Sequence, residues 1–352
     1  MTRISRWFGS LALIGAGLAA LLWQAAPAAA FNHGDVEVFA VLPNGATGPE
    51  GIAVSPGDEV YVATFGFNTA GPVAGPGKIY VYNKNGALLR TLTVAGTSSH
   101  LIGIGFHPTT NVLLVIDNGS ANVRAVNRVT GASAIFMTLP AGMAAGAGLN
   151  AMTFDAAGNV YVSDSFQGII WQVGAGGGEA TAWVTNALLT TTGTPPFGAN
   201  GLDFNAAQDA LFVANTGNDT IVRIPVAAGV PGAPAVFVNS INGADGLVID
   251  PDDNIWVAAN QADEIVVLDP TGKTIAKLGD FSGLTAGGVP NGLLFPATPA
   301  FSRNGRTLYV TNLALDIRLF GLAQSGDSQW TAQVNRYTVS RIRTNFRPLS
   351  GP

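Results

Sequence analysis

The chain has 352 residues, enough for one large domain or two small ones and for a substantial buried core. Its 45 glycines and 20 prolines exceed ordinary usage and signal many turns. Charged residues are only 11% with a formal net charge of -5, so the clustered Lys and Arg that nucleic acid requires are missing. The lack of cysteine excludes disulfides, thiolate metal sites and a Cys nucleophile.

The first element is an export signal. Arg3 and Arg6 form a basic start, 10–22 (SLALIGAGLAALL) is apolar, and 25–30 (AAPAAA) supplies the small residues a signal peptidase needs. Cleavage after Ala30 would leave a mature domain over 31–352, periplasmic or secreted, with no membrane association. The alternative is an uncleaved anchor, for which the apolar run is short. A monomer is expected.

Six similar segments follow. They are 49–63 (PEGIAVSPGDEVYVA), 101–117 (LIGIGFHPTTNVLLVID), 149–164 (LNAMTFDAAGNVYVSD), 199–215 (ANGLDFNAAQDALFVAN), 244–258 (ADGLVIDPDDNIWVA) and 290–312 (PNGLLFPATPAFSRNGRTLYVTN). Nearly all have a small or polar leading residue, then Gly or Ala, an apolar strand, a polar turn and a second apolar strand. The leading residues Glu50, Ile102, Asn150, Asn200, Asp245 and Asn291 are spaced by 52, 48, 50, 45 and 46 residues. That period, with a third strand such as 78–82 (KIYVY) and a variable fourth such as 89–94, predicts an all-β, six-bladed β-propeller with four-stranded antiparallel blades. A parallel β-helix repeats faster, and a sandwich does not repeat six times. Ring closure requires 36–42 (VEVFAVL) and 333–339 (QVNRYTV) to share one composite blade.

In a propeller the innermost strands line the axis, so leading residues of different blades converge there. Glu50, Asn150, Asn200, Asp245 and Asn291 would form an oxygen-only cluster suited to a hard cation such as Ca²⁺. The plainer reading is that Asn-Gly and Asp-Gly shape turns. It fits Glu50 poorly, and Ile102 shows that the fold does not demand a polar residue there. A second layer, Asp117, Asp164, Asn215 and Asn312 with Asn260 off register, could support the first ring or merely cap strand ends.

Of the three histidines, His33 lies near the mature start, His107 reads as structural, and His100 could overhang the site as a base. Ser55, Ser163 and Ser165 lack an evident base. No nucleophile elbow, phosphate-binding glycine loop or His-rich zinc motif occurs. Trp171 and Trp256 read as core, Phe65 and Phe166 as pocket candidates, with Phe67 and Phe320 as further wall residues.

The segments 48–54 (GPEGIAV), 148–164 (GLNAMTFDAAGNVYVSD), 198–204 (GANGLDF) and 243–258 (GADGLVIDPDDNIWVA) resemble the SMP-30/gluconolactonase family, a neighbour of the paraoxonases, strictosidine-synthase-like proteins and NHL-repeat propellers. The resemblance spans nearly all of the mature chain. It implies a six-bladed propeller with a divalent cation, often Ca²⁺, held on the axis by Glu50, Asn200 and Asp245, with Asn150 close to metal and substrate. It also implies hydrolysis of a lactone or ester, with Asp245, or else His100, as the base. Two departures stand out. Where sugar-acid lactonases carry an Arg, this chain has Gly148, and His100 is out of register with the paraoxonase histidine. The rival is a non-catalytic exported NHL-like propeller that binds a partner on one face.

Overall fold

The computed structural model describes residues 35–323 and 327–344. The export segment, Phe31 and His33 lie outside the described residues. Among the described residues, six sheets, each with four antiparallel strands at its core, form the six blades of a propeller, and those of blades 2 and 4 carry an additional two-residue strand. Blade 1 comprises Pro49–Val54, Val60–Thr64, Lys78–Tyr82 and Leu88–Thr93. Blade 2 comprises Leu101–Phe106, Leu113–Asp117, Asn122–Val126 and Ser133–Thr138. Blade 3 comprises Leu149–Phe154, Val160–Asp164, Ile169–Val173 and Thr181–Thr185. Blade 4 comprises Ala199–Phe204, Ala210–Asn215, Thr220–Ala227 and Ala235–Val238. Blade 5 comprises Ala244–Ile249, Ile255–Ala259, Glu264–Leu268 and Thr274–Leu278.

Blade 6 is composite. Pro296–Phe301, Thr307–Asn312 and Thr338–Arg343 are completed on the outside by Val36–Val41 from the start of the domain. The closure expected from the sequence is therefore present, but its C-terminal partner begins at Thr338 rather than at 333. One expectation is corrected here. The inner strand of blade 6 is Pro296–Phe301, not a strand led by Asn291. Asn291 sits in Pro290–Gly292, which pairs with Phe281–Leu284 in a separate two-stranded hairpin, and it is exposed. The residue that leads blade 6 is Ala297.

The repeated pattern has local causes. Second strands such as Val60–Thr64 and Ile255–Ala259 are buried throughout, because each blade is covered by a neighbour on both faces. They therefore read as apolar runs rather than as alternation. The turn between first and second strands contains one left-handed residue in every blade: Asp58, Asn111, Gly158, Gln208, Asp253 and Gly305. This is a conformation that Gly, Asn and Asp adopt at the least cost. Inner strands also touch side by side around the axis. Half-buried Asp203 fastens three of them, accepting from Thr153 Oγ1 at 2.9 Å in blade 3, from its neighbour Phe204 N, and from Ile249 N at 3.1 Å in blade 5. No helix among the described residues is long and apolar enough to cross a membrane.

Candidate functional site

Each first-to-second-strand ladder is interrupted at the same place. The register shifts between Pro49 and Ile52, Leu101 and Ile104, Leu149 and Met152, Ala199 and Leu202, Ala244 and Leu247, and Pro296 and Pro299. The leading residue occupies this bulge six times over, and a bulge re-aims a side chain out of the regular pleat. In blades 1 to 5 the following residue is Gly or Ala, because neighbouring inner strands nearly touch there. A Cβ on Gly51 would run into the Ile102 carbonyl, one on Gly103 would meet the Asn150 carbonyl oxygen at 2.6 Å, and one on Gly246 would meet that of Ala297 at 2.5 Å. Glycine here serves close approach, not a turn.

Glu50, Asn150, Asn200 and Asp245, the polar leading residues, are all buried and line one pocket. Ile102 lines it too, and Ala297 leaves a gap in the ring. Glu50 Oε2 and Asn150 Oδ1 have no hydrogen-bond partner although both are buried. The amide nitrogen of Asn150 is bonded to Ser165 Oγ at 3.2 Å and that of Asn200 to Thr216 Oγ1 at 3.0 Å. Asp245 Oδ2 accepts from Asn260 Nδ2 at 3.0 Å. Burial pushes the Glu50 carboxyl well above its ordinary range, and the nearby Asp245 charge pushes it further. Burial raises Asp245 to about 7, partly offset by hydrogen bonds from Asn260 and Asn200. No Lys or Arg lines the pocket to compensate the two acids.

This donor set fits a divalent cation. It offers two carboxylates and two amide oxygens, all hard ligands, with unpaired buried oxygens whose desolvation is otherwise uncompensated. Among the described residues there is no cluster of three His, Cys, Asp or Glu side chains that could hold a metal, so a cation on the axis would need the amide oxygens as well.

The second layer lies one residue later than the sequence reading placed it. Asp164 spends Oδ1 on the backbone N–H groups of Gly148, Phe166 and Gln167, and Oδ2 on Trp171 Nε1. Asn215 donates to the Leu188 and Thr190 carbonyls. Asp117 and Asn312 are spent on loops and strand ends in the same way. These residues stitch loops and do not reach the axis, which corrects the expectation for Asp164 and Asn215. Strand alternation turns the next residue inward instead. Asn118, Thr216 and Asn260 line the pocket, Ser165 holds Asn150, and Phe65 and Leu313 supply apolar wall at the equivalent positions. Asn260, which the sequence reading placed off register, marks the true register.

His100 is not among the pocket-lining residues. Its Nδ1 lies 2.6 Å from the Phe65 carbonyl, and its ring stacks on Phe67 at 5.0 Å. It braces the aromatic wall rather than overhanging the carboxylates. His107 is buried against Phe136 and Phe154. Trp171 and Trp256 are core, each indole N–H bonded to an Asp. Phe67 and Phe320 contact each other at 4.9 Å beside the pocket. The sequence reading missed Pro195, Phe197 and Leu315, which reach the pocket from connections outside the repeated segments, and Phe295, which lies just before the inner strand of blade 6.

Residues 93–313 match the model of the family described as the SMP-30/Gluconolactonase/LRE-like region. The chain belongs to the SMP-30/gluconolactonase/LRE-like family. Solved structures with the same fold include a luciferin-regenerating enzyme (15% identity, TM-score 0.62, 90% of this chain and 98% of the other). A gluconolactonase from Xanthomonas campestris is similar at 12% identity and TM-score 0.61, over 88% and 89% of the two chains. Regucalcin from Agrobacterium tumefaciens, a calcium-binding protein, is similar at 16% identity and TM-score 0.60, over 90% and 99%. No curated protein sequence matches the chain. Membership of this family fixes the propeller and makes a small-molecule lactone a natural substrate class to test.

Proposed function

We propose that this family member is an exported, divalent-metal-dependent hydrolase of a lactone or ester, with Ca²⁺ as its cation. One observation carries the reading: Glu50 Oε2 and Asn150 Oδ1 are buried without partners beside the Asp245 carboxyl, at the foot of a pocket. Glu50, Asn200 and Asp245 would hold the cation, with Asn150 at its edge towards substrate. A bound cation would polarise the scissile carbonyl and make water more acidic.

The chain's own residues supply the rest. Asn260 pins Asp245 Oδ2, leaving Oδ1 as the oxygen able to take a proton from the attacking water. As the water oxygen bonds to the acyl carbon, that proton passes to Asp245. As the acyl C–O bond breaks, the leaving alkoxide takes a proton back. Ser165 and Thr216 fix the amide planes of Asn150 and Asn200, so their oxygens stay directed at the axis. The apolar walls keep bulk water out and strengthen these electrostatic interactions. Export rests on the basic, apolar and small-residue order of the first 30 residues.

The test is hydrolysis of a panel of lactones and esters before chelation, after it, and after Ca²⁺ is returned. Activity should vanish in chelator and recover with Ca²⁺. Undiminished hydrolysis in chelator would remove the metal from the mechanism. Ca²⁺ binding without turnover of any panel member would leave a binding propeller. N-terminal sequencing of exported protein should begin near Phe31.

A further inference from the structure

The pocket above the axial oxygens is walled by one kind of chemistry. Phe65, Ile102, Phe197, Phe295, Leu313 and Leu315 face it, and no Lys, Arg or His does. The polar groups at its foot have turned their donors into the protein. Asn118 Nδ2 donates to the Leu149 carbonyl at 2.8 Å, and the amide nitrogens of Asn150, Asn200 and Asn260 are bonded to Ser165, Thr216 and Asp245. The Thr216 hydroxyl donates to the Ala244 carbonyl at 2.8 Å. Above the axial oxygens, a ligand rich in hydroxyls would bury them against aromatic and aliphatic walls that offer no partners, and each unpaired group is penalised. A cation between Glu50 and Asp245 would only cancel their charges, and no basic side chain lines the pocket to attract an anionic ligand.

The lip continues the theme. A Cβ on Gly148 would come within 2.5 Å of the Phe166 ring, so glycine at this position is what lets that ring lie against the backbone. Phe166 stacks on Phe197 with centroids 5.6 Å apart and planes 30° apart, and it is 51% exposed. The apolar wall therefore extends from the axis to solvent on this side. Large exposed aromatic surface at a pocket mouth marks a binding surface.

We infer that the substrate is uncharged and carries a hydrocarbon part, alkyl or aryl. This part seats between Phe65, Phe197, Phe295 and Leu313 while the ester or lactone carbonyl meets the axial oxygens. The inference rests on the hydrolase reading for its reaction but not for its binding specificity.

The experiment measures kcat/KM in Ca²⁺ for γ- and δ-lactones with alkyl chains of increasing length, a benzo-fused lactone, a polyhydroxylated aldonic lactone and a lactone bearing a free carboxylate. We expect a gain of about four-fold per added methylene until the pocket is filled. We also expect at least about ten-fold preference for the alkyl lactones over the hydroxylated one. Phe197→Ala should flatten the chain-length dependence. Equal or faster turnover of the hydroxylated or carboxylated lactone overturns this inference while leaving the hydrolase reading intact. If nothing is hydrolysed, the hydrolase reading falls. Calorimetry with the alkyl and polyhydroxylated lactams then decides the pocket: tighter binding of the alkyl lactam upholds the inference, and tighter binding of the hydroxylated one, or of neither, overturns it.

Discussion

Burial raises the carboxyls of both Glu50 and Asp245, the Asp245 charge raises Glu50 further, and the sign of the effect can be followed through folding. Both carboxyls titrate higher in the folded protein than in an unfolded chain, Asp245 at about 7. The folded state therefore holds their protons more tightly. Without metal, this stability is fully present below the unfolded carboxylate range and is lost as pH rises through the folded values. For Asp245 alone the loss is on the order of 4 kcal/mol. Metal-free protein should thus melt at progressively lower temperature between pH 4.5 and 7.5, and Ca²⁺ should raise the melting temperature much more at pH 7.5 than at 4.5. Glu50→Gln should flatten the metal-free profile. A profile equally steep in Glu50→Gln would show that the axial pair is not its origin. Asp245→Ala should abolish both Ca²⁺ binding and hydrolysis, and unchanged Ca²⁺ affinity by calorimetry would sink that assignment. These residues were legible because each leads its repeat as a polar residue before a small one. Asn291 imitated that signature, since Pro290–Asn291–Gly292 copies the motif while forming a different hairpin. Ala297, the true occupant, has nothing polar to announce it.

At the scale of the element, the inner strand unites what the sequence showed as two separate facts, a polar residue and a glycine. The bulge turns the polar side chain to the axis, and the glycine lets the next strand approach. This coupling predicts that a scaffold change should disturb the site. A Cβ on Gly201 would lie 2.5 Å from Leu247 N and 2.6 Å from the Asp245 carbonyl oxygen, both backbone atoms. Gly201→Ala should destabilise the protein by about 1–3 kcal/mol, as overpacking does, and should weaken Ca²⁺ binding by shifting the backbone that carries Asp245. Gly176, with nothing within 4 Å and no positive φ, is the matched control. Gly176→Ala should stay within about 0.5 kcal/mol of the parent in denaturant melts. Equal effects from the two substitutions would refute the close-packing role. The second-strand layer was harder to read because Asp and Asn are as common at strand ends that cap loops as at sites. Only the pleat tells that Asp164 faces a loop while Ser165 faces the axis. The walls formed by Phe197 and Leu315 were not legible, because they come from connections with no repeat to place them, and Phe295 was hidden because Asn291 drew the start of blade 6 too early.

At the scale of the whole molecule, the ring is a closed set of six blades in which only one contains strands from both ends of the described domain. Val36–Val41 pairs with Thr338–Arg343 in the outer half of blade 6, so loss of that pairing opens the ring beside blade 1. Blade 1 carries Glu50, and its backbone carbonyl is bound by Thr311 Oγ1 of blade 6 at 2.7 Å. The closure therefore bears directly on the geometry of the axial oxygens. Glu37 and Arg341 face each other across the closing pair with Oε2 and Nη2 2.6 Å apart. A half-exposed ion pair of this kind contributes little by itself. The same positions offer a covalent test, and the chain has no native cysteine to interfere. The double variant Glu37→Cys, Arg341→Cys should, when oxidised, unfold at higher denaturant concentration than when reduced, by about 2–4 kcal/mol, since the crosslink restrains almost the entire chain. Because closure holds blade 6 against blade 1, the oxidised form should also release Ca²⁺ at a higher denaturant concentration than the reduced form, in step with its unfolding. If Ca²⁺ release were instead the same in both forms, the axial site would be independent of ring closure, and its order would have to come from the inner strands of the other blades alone.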